Sequence, residues 1–395
     1  MLRLLLNAEV YSPAPLGRRH LVVCGSKLLH LATELPRLPS ELVEETHDLG
    51  GRRVVPGLID AHVHLTGGGG ESGPASRVPP LQLSDFTRAG ITTAVGVLGT
   101  DDLTRSVPDL LAAVRALDAE GLSTRCWVGG YHLPPATLTG SVRSDIVHLE
   151  PVIGAGELAI SDHRSSQPTL DELLRIASEC HVAGLQTGKA GLLHLHLGDG
   201  SRGLALVRDA LDRSELPPRV FYPTHVNRRA ALFEEATALC RRGCGIDVTA
   251  FPPLSGPERS SSDELSVEQA FERFAAAGLP PERLTVSSDG GGSLPTFDAE
   301  GRIVHFGVGR PSSLFEALRR LVQSGVPLER ALPPFTSNPG SLLRLSGKGR
   351  LGAGVDADLV VLGKDLEVQD VMARGRWHVR DGVPVVRGRF EEQEA

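Results

Sequence analysis

Shortages of several residue types exclude several classes of protein. Aromatic residues make up only 4% of the 395 residues, and no basic cluster is interleaved with them. Together with a net charge of −7, this disfavours a nucleic-acid-binding protein. The five cysteines are odd in number and scattered, which argues against a disulfide framework. No apolar run is long enough to span a membrane, so no membrane partner is expected.

The start of the chain carries an apolar run, MLRLLLNAEV. This run is too short for the apolar core and cleavage site of a secretory signal, and polar residues follow it at once. We therefore expect a cytoplasmic protein.

From residue 54 onwards, short apolar runs alternate with longer amphipathic ones. Eight short runs have the length and composition of strands, and they are VVPGLIDAHVHL, ITTAVGVL, TRCWVGGYH, LAISDH, LLHLHL, RVFYPTH, GIDVTA and LTVSSD. Between most of them, apolar residues recur at three- and four-residue spacing, as in TLDELLRIASECHVAG, which predicts helices. Eight strands alternating with helices predict an α/β fold of the (β/α)8 TIM-like barrel type.

Both ends of the chain break this rhythm. Residues 1–55 and 345–395 contain strand-like pieces such as HLVVCG and DADLVVLG and almost no helical pattern. We therefore expect a small β-sandwich domain built from both ends, with the barrel spanning residues 56–344. The polar segment SGPERSSSDELS, residues 255–266, is predicted to be a mobile loop.

The first predicted barrel strand carries an unusual polar pattern, PGLIDAHVHLTGGGGESGP at residues 56–74. Successive residues of a strand point to opposite faces, so Asp60, His62 and His64 share one face, where two imidazoles can chelate a metal ion. The glycines that follow allow unusual backbone dihedrals and close approach of a ligand. Two core histidines followed by a flexible turn are the alternative interpretation.

Polar residues also mark the ends of other predicted strands. In a (β/α)8 barrel the chemistry lies at the carboxyl ends of the strands, so these side chains should meet in one ring. Imidazoles and carboxylates without thiolates suit zinc, with manganese or cobalt as alternatives. The predicted metal ligands are His62, His64, Glu157, His196, His225 and Asp289. We expect His132 and His163 to support the site from behind the ligands, and His194 to pack in the core.

These residues resemble the amidohydrolase superfamily, with H-x-H on the first strand, single histidines on the fifth and sixth, and an aspartate on the eighth. More narrowly, VHLTGGGGESGP, VGVLGTDD, GGYHLP, AISDHRS, PTHVNR and SSDGGGS look like the isoaspartyl dipeptidases. That family hydrolyses the isopeptide bond of β-aspartyl dipeptides. The resemblance covers essentially the whole chain.

The resemblance implies how the metal ligands divide. His62 and His64 would bind one ion together with Asp289, while His196 and His225 would bind a second. It also implies that Tyr131 donates a hydrogen bond to the scissile carbonyl oxygen. Because Asp289 would lie at the metal beside the attacking hydroxide, we expect it to transfer the proton to the leaving amine.

The resemblance further implies a set of substrate-binding residues. Glu71 would bind the substrate ammonium group, Thr100 would line the pocket, and Arg164, Arg228 and Ser293 would hold carboxylates. A β-aspartyl dipeptide has one ammonium and two carboxylates, which one glutamate and two arginines complement. A solvated loop acid and structural ion pairs are the alternative interpretations.

The sequence departs from the family on the fourth barrel strand. There the family carries a lysine whose carbamate bridges two metal ions, whereas this chain has Glu157. The four lysines of the chain lie in the terminal segments or, as Lys189, before the fifth strand at the wrong end of the barrel. Glu157 supplies the same charge on a shorter side chain. Three outcomes stay open: it bridges two ions, it binds one, or the activity is lost.

The predicted function is metal-dependent hydrolysis of β-aspartyl dipeptides by attack of metal-bound hydroxide, with two zinc ions per chain, or one. The alternatives are an N-acyl deacetylase, a cyclic-amide hydrolase, or a family member whose catalysis is impaired because Glu157 replaces the lysine. Superfamily members with glutamate on this strand include deacetylases of N-acetylated sugars. The resemblance also suggests a homo-oligomer.

Overall fold

The computed structural model describes residues 1–252, 263–297 and 303–391. Most of the segment predicted to be a mobile loop, residues 255–266, lies outside the described residues.

The described residues form strands and α-helices in the following order. The strands are β1 (Leu2–Tyr11), β2 (Pro15–Cys24), β3 (Lys27–Ala32), β4 (Val43–Asp48), β5 (Arg53–Pro56), β6 (Leu58–Val63), β7 (Ile91–Gly96), β8 (Ser123–Val128), β9 (Val152–Ser161), β10 (Leu192–Leu197), β11 (Phe221–Thr224), β12 (Ile246–Thr249), β13 (Leu284–Ser287), β14 (Ser293–Phe297), β15 (Ile303–Val308), β16 (Leu359–Leu362), β17 (Val368–Ala373), β18 (Arg376–Arg380) and β19 (Val383–Pro384). The α-helices are α1 (Leu83–Thr87), α2 (Val107–Glu120), α3 (Val142–His148), α4 (Leu170–Thr187), α5 (Ala205–Arg213), α6 (Ala230–Arg242), α7 (Val267–Ala276), α8 (Ser312–Gln323), α9 (Leu328–Ala331) and α10 (Ser337–Leu342).

Eight parallel strands, β6 to β13, form the barrel. Strands β6 to β11 make one sheet in chain order, β12 lies beside β11, and β12 pairs with β13. The ring closes where the amide of His64, just after β6, donates to the carbonyl of Gly290, just after β13, at 2.8 Å. The buried carboxylate of Asp60 ties the same two strands together by accepting from the amide of Ser288 at 3.1 Å. The predicted α/β fold with a TIM-like barrel is therefore confirmed.

Helices between the strands follow the predicted pattern, and α4 shows why. Thr169 caps its first turn in a capping box with Glu172, and Gly188 ends it in a left-handed conformation. Its buried residues recur at three- and four-residue spacing, and they are Leu173, Ile176, Ala177, Cys180, Ala183 and Gly184. One apolar face thus packs on the barrel and returns the chain to the amino-terminal end of the next strand.

Strands from both ends of the chain form a separate nine-stranded sheet. Its order is β19-β18-β17-β16-β5-β1-β2-β3, with β4 also pairing with β1. Strand β16 pairs antiparallel with β5, so the end of the chain returns beside its beginning. The domain limits at residues 55 and 345 stay a prediction.

Among the described residues, every helix is too short or too polar to cross a lipid bilayer.

Candidate active site

The six predicted metal ligands meet at the carboxyl ends of the barrel strands. His62 and Glu157 lie in β6 and β9, His196 lies in β10, and the other three directly follow or nearly follow a strand. All six side chains are buried. His225 and Asp289 have left-handed backbone conformations, with φ of 58° and 52°. Such φ values are uncommon outside glycine and are concentrated at functional sites.

Glu157 lies at the centre of this cluster, and its two oxygens face different histidines. Oε1 lies 3.5 Å from Nε2 of His64. Oε2 lies 3.0 Å from Nδ1 of His196, 3.5 Å from Nε2 of His225 and 3.6 Å from Nε2 of His62. One carboxylate therefore contacts both halves of the predicted ligand set.

Asp289 completes one half of the cluster. Its Oδ1 lies 3.5 Å from Nε2 of His62 and 3.2 Å from Nε2 of His64. Ligand atoms bound at about 2.1 Å to a tetrahedral ion lie about 3.4 Å apart, which these distances match. His62, His64 and Asp289 form one candidate metal group, and His62, Glu157 and His225 form another.

Unpartnered atoms provide an independent test of whether a cation fits here. Nε2 of His62, Oε1 of Glu157 and Oδ1 of Asp289 are buried and have no hydrogen-bond partner among the described residues. Buried polar atoms are rarely left unpaired unless water or an ion serves them. Three such atoms in one cluster, two of them carboxylate oxygens, fit a metal cation.

The charges in this cluster shift one another's pKa values. Burial alone would raise the pKa of Glu157, but His62 and His196 outweigh burial and hold that pKa well below its usual range. Conversely, burial lowers the pKa of His62, but Glu157 and Asp289 outweigh it and raise the pKa to about 9. Burial lowers the pKa of His225 to about 3. The carboxylates of Glu157 and Asp289 therefore favour positive charge at this position, as they would favour a metal cation.

The predicted substrate-binding residues share one cavity with the metal ligands. Besides His64, Glu157, His196, His225 and Asp289, this cavity is lined by Glu71, Thr100, Tyr131, Arg164, Arg228 and Ser293. The structure thus brings together all the residues that the resemblance singled out. His62 alone among them does not line the cavity, because it is buried behind Glu157 and Asp289.

Glu71 has one oxygen engaged and one available. Its Oε1 accepts from Arg164 at 3.1 Å and from the Thr100 hydroxyl at 3.5 Å. Its Oε2 is buried without a hydrogen-bond partner among the described residues, as is Oγ of Ser293. The guanidinium of Arg228 lies 5.3 Å from the ring centre of Phe251, and its buried Nε also lacks a described partner. The cavity wall therefore offers unpaired acceptors and donors.

Tyr131 lies against His196. Its hydroxyl is 2.9 Å from Nδ1 of that histidine, and the guanidinium carbon of Arg164 lies 5.4 Å from the centre of the tyrosine ring. Burial, with the charge of Glu157, raises the pKa of Tyr131 well above its usual range. The phenol therefore keeps its proton and can donate a hydrogen bond in the cavity.

Asp162 is a site residue that the sequence did not single out. Its buried carboxylate accepts from Arg164 at 2.9 and 2.6 Å and lies 3.0 Å from Nε2 of His196. Burial would raise the pKa of Asp162, but His196 and Arg164 hold it well below its usual range. Asp162 thus connects a predicted metal ligand to a predicted substrate-binding arginine. The available signal was its place in SDHRS, at a strand end and two residues before Arg164.

Three other histidines of the barrel have distinct surroundings. His132 lies 3.2 Å from Asp102 and 3.1 Å from the carbonyl of Arg164, whereas His163 contacts Asp199 at 2.9 Å. His194 is buried in the core, as expected, but its Nε2 also lies 2.8 Å from Nδ1 of His62. Core packing alone is therefore an incomplete description of His194.

The structure places Lys189 away from the ligand cluster. Its ammonium donates to the carbonyls of Ile146 and Leu149 at 2.6 and 2.7 Å, at the opposite end of the barrel. Lys348 is paired with Asp358 at 2.6 Å, beside the terminal sheet. Glu157 is therefore the residue that occupies the central position.

The chain belongs to the amidohydrolase family, whose family model matches residues 53–378. It is accordingly a hydrolase of that superfamily. More narrowly, it is similar to the beta-aspartyl dipeptidase of Fervidobacterium islandicum AW-1, whose structure in complex with a beta-Asp-Leu dipeptide gives a TM-score of 0.90 at 40% identity over 97% of this chain and 98% of that one. A second structure of that enzyme gives 0.87 at 38% identity. The resemblance to isoaspartyl dipeptidases is thereby confirmed.

Other relatives are more distant. N-acetylglucosamine-6-phosphate deacetylase from Pasteurella multocida shares the fold, with a TM-score of 0.64 at 14% identity over 96% of this chain and all of that one. Imidazolonepropionase from Methylobacterium nodulans is 37% identical over 125 residues, and the match spans only 30% of the length of either chain.

Proposed function

We propose that this protein is a zinc-dependent dipeptidase that hydrolyses the isopeptide bond of β-aspartyl dipeptides. The observation that carries the proposal is one cavity that combines a metal-ligand cluster with Glu71, Arg164 and Arg228. The β-Asp-Leu bound to the Fervidobacterium enzyme supports the same substrate class.

Charge complementarity supports this substrate. The free Oε2 of Glu71 suits the α-ammonium group, and two guanidinium groups suit the two carboxylates. Arg164 is paired with Asp162 and Glu71. We expect the substrate ammonium and carboxylate to insert between Glu71 and Arg164 and to replace their direct contact. A neutral cyclic amide, or an N-acyl sugar without an ammonium group, would leave some of these charges unpaired.

The metal ions, when bound, would supply a water of lowered pKa and polarise the scissile carbonyl. Asp289, whose Oδ1 lies beside His62 and His64, would accept the proton of the attacking water and deliver it to the leaving amine. Tyr131, which keeps its proton, would donate a hydrogen bond to the carbonyl oxygen as negative charge develops there.

We propose that Glu157 would help to hold both ions, because its two oxygens face different histidines. The side chain of Glu157 is shorter than that of a carbamylated lysine, so the backbone of β9 must lie closer to the other metal ligands. Gly156, just before Glu157, lets β9 lie close to β10, since an added Cβ would lie 2.6 Å from the Cβ of His194. His62, His64 and Asp289 would hold one ion, and His225 and His196 would hold the other. The cytoplasmic location and the homo-oligomer stay predictions.

The proposal is tested by incubating the zinc-dialysed protein with β-aspartyl-leucine and, separately, with α-aspartyl-leucine, and measuring released leucine. We expect cleavage of the β isomer alone. Glu71→Gln should raise KM for β-aspartyl-leucine about 10- to 100-fold, since a charged hydrogen bond is worth about 1.5–3 kcal/mol, whereas the exposed Glu41→Gln control should not. A zinc-loaded protein that cleaves neither isomer but deacetylates an N-acyl substrate would replace this proposal with the deacetylase alternative.

A further inference from the structure

His194 contacts the ring nitrogen of His62 that faces away from the carboxylates. Nδ1 of His62 lies 2.8 Å from Nε2 of His194, while Nε2 of His62 faces Glu157 and Asp289 at 3.6 and 3.5 Å. The other nitrogen of His194, Nδ1, lies 3.0 Å from the backbone carbonyl of Tyr222. A carbonyl, an imidazole and a second imidazole therefore form a continuous chain that leads to the candidate metal site.

The direction of each hydrogen bond in this chain follows from its first member. The carbonyl of Tyr222 can only accept, so Nδ1 of His194 carries the hydrogen. A neutral imidazole carries only one hydrogen, so Nε2 of a neutral His194 has none. Nε2 therefore accepts a hydrogen bond from Nδ1 of His62. A charged His194 would be buried with only a carbonyl and an imidazole as hydrogen-bond partners, which is costly.

The surroundings of His194 hold its ring in place. It packs against Trp127 and Tyr222, with both ring centres 4.8 Å away, and those two rings lie 6.1 Å from each other. Trp127 is itself fixed, because its indole nitrogen donates to the carbonyl of Ala61 at 3.1 Å, next to His62 in the chain. The Tyr222 hydroxyl is bonded to Thr285 at 2.6 Å. The acceptor that meets His62 therefore has little freedom to turn away.

We infer that His194 is a positioning residue that prepares His62 for metal binding. By accepting from Nδ1 of His62, it fixes the orientation of that ring and leaves the lone pair of Nε2 for a metal ion. Nε2 of His62 is buried without a hydrogen-bond partner among the described residues, as this role requires. Metal-binding histidines generally donate their other nitrogen to a carboxylate or carbonyl, and here a second histidine takes that place. The inference rests on the metal centre of the proposed function.

Two substitutions separate the acceptor from the packing. His194→Phe keeps an aromatic ring packed against Trp127 and Tyr222 but removes the acceptor, whereas His194→Gln can place an amide oxygen near the position of Nε2. His378→Phe is the matched control, because His378 is a buried histidine in the terminal sheet. Each metal-free variant is titrated with cobalt(II), followed by its visible absorbance, and its zinc content after gel filtration is measured by mass spectrometry. Thermal melting followed by circular dichroism reports the fold.

We expect His194→Phe to bind cobalt and zinc about 10- to 100-fold more weakly, the usual loss when a group that orients a ligand is removed. His194→Gln should recover part of this loss, and the control should bind normally. A folded His194→Phe with unchanged metal affinity would overturn the inference.

If His194→Phe does not fold, histidine nitrogen NMR of the unsubstituted zinc protein decides the matter. We expect hydrogens on Nδ1 of both His62 and His194, and a hydrogen on Nε2 of His62 would overturn the inference. These measurements need no substrate. A result that overturns the role of His194 therefore leaves the dipeptidase proposal intact. Conversely, if the protein does not cleave β-aspartyl-leucine, the metal affinities still decide the role of His194.

Discussion

Replacing Glu157 by glutamine tests the central feature of the site. The substitution keeps the size of the side chain, removes its charge and turns one acceptor oxygen into an NH2 donor. Glu157 is fully buried, and nitrogens of four histidines lie 3.0 to 3.6 Å from its oxygens. Because this position is buried, we expect no solvent to compensate for the loss of the negative charge.

The magnitude follows from the distances. Two unit charges about 3.5 Å apart attract each other by about 5 kcal/mol at an effective dielectric constant of about 20, and each 1.4 kcal/mol is a factor of ten. A bound ion would lie closer to the carboxylate than this, so the figure is a lower bound. We therefore expect Glu157→Gln to bind zinc more than about 10³-fold more weakly and to lose β-aspartyl-leucine hydrolysis in proportion. The fold should persist, because glutamine fills the same space.

The assay is competition for zinc with a chelator of known affinity at fixed pH, combined with zinc counting by mass spectrometry and release of leucine. Glu150→Gln is the matched control, because Glu150 is an exposed glutamate that pairs with Arg125 at the opposite end of the barrel. If Glu157→Gln held the same number of zinc ions with the affinity of the unsubstituted protein, the assignment of Glu157 as a ligand would be refuted.

Three further predictions concern other positions. Asp289→Asn should lower kcat at least 10²-fold with an unchanged circular dichroism spectrum, and near-normal turnover would exclude its role in proton transfer. Gly99→Ala should displace His64 and lower zinc content, because Gly99 has a φ of 82° and an added Cβ would lie 2.6 Å from Cε1 of that ring; normal zinc content would contradict this. Burial lowers the pKa of His378 to about 4, so between pH 6.5 and 4 the unfolded chain binds a proton that the folded protein does not, and stability falls with falling pH. Urea unfolding measures how much the free energy of unfolding falls between pH 7.5 and pH 5. This fall should be about 2 kcal/mol smaller in His378→Phe than in the unsubstituted protein, and equal falls would count against a neutral His378.

Much of the architecture was predictable because it depends on local repetition. The alternation of short apolar runs with helical spacing predicted the strands from β6 to β13, since each run is bounded by turn residues and followed by an amphipathic segment. The ligand cluster was predictable for a related reason. In a parallel barrel the carboxyl ends of all strands meet, so histidines such as His62 and His225 converge although they are far apart in the chain.

Other features were decided only by the tertiary structure. Asp162 and His194 contact His196 and His62, which lie on other strands, and no local period reveals which side chains of different strands touch. The sequence also left open whether the short side chain of Glu157 can reach two groups of histidines. That depends on where packing places the backbone of β9 relative to these histidines, and the structure puts Oε1 of Glu157 3.5 Å from His64 and Oε2 3.5 Å from His225. Residue type and spacing therefore determined which groups are present at the site, whereas packing between distant segments determined which atoms of those groups face one another.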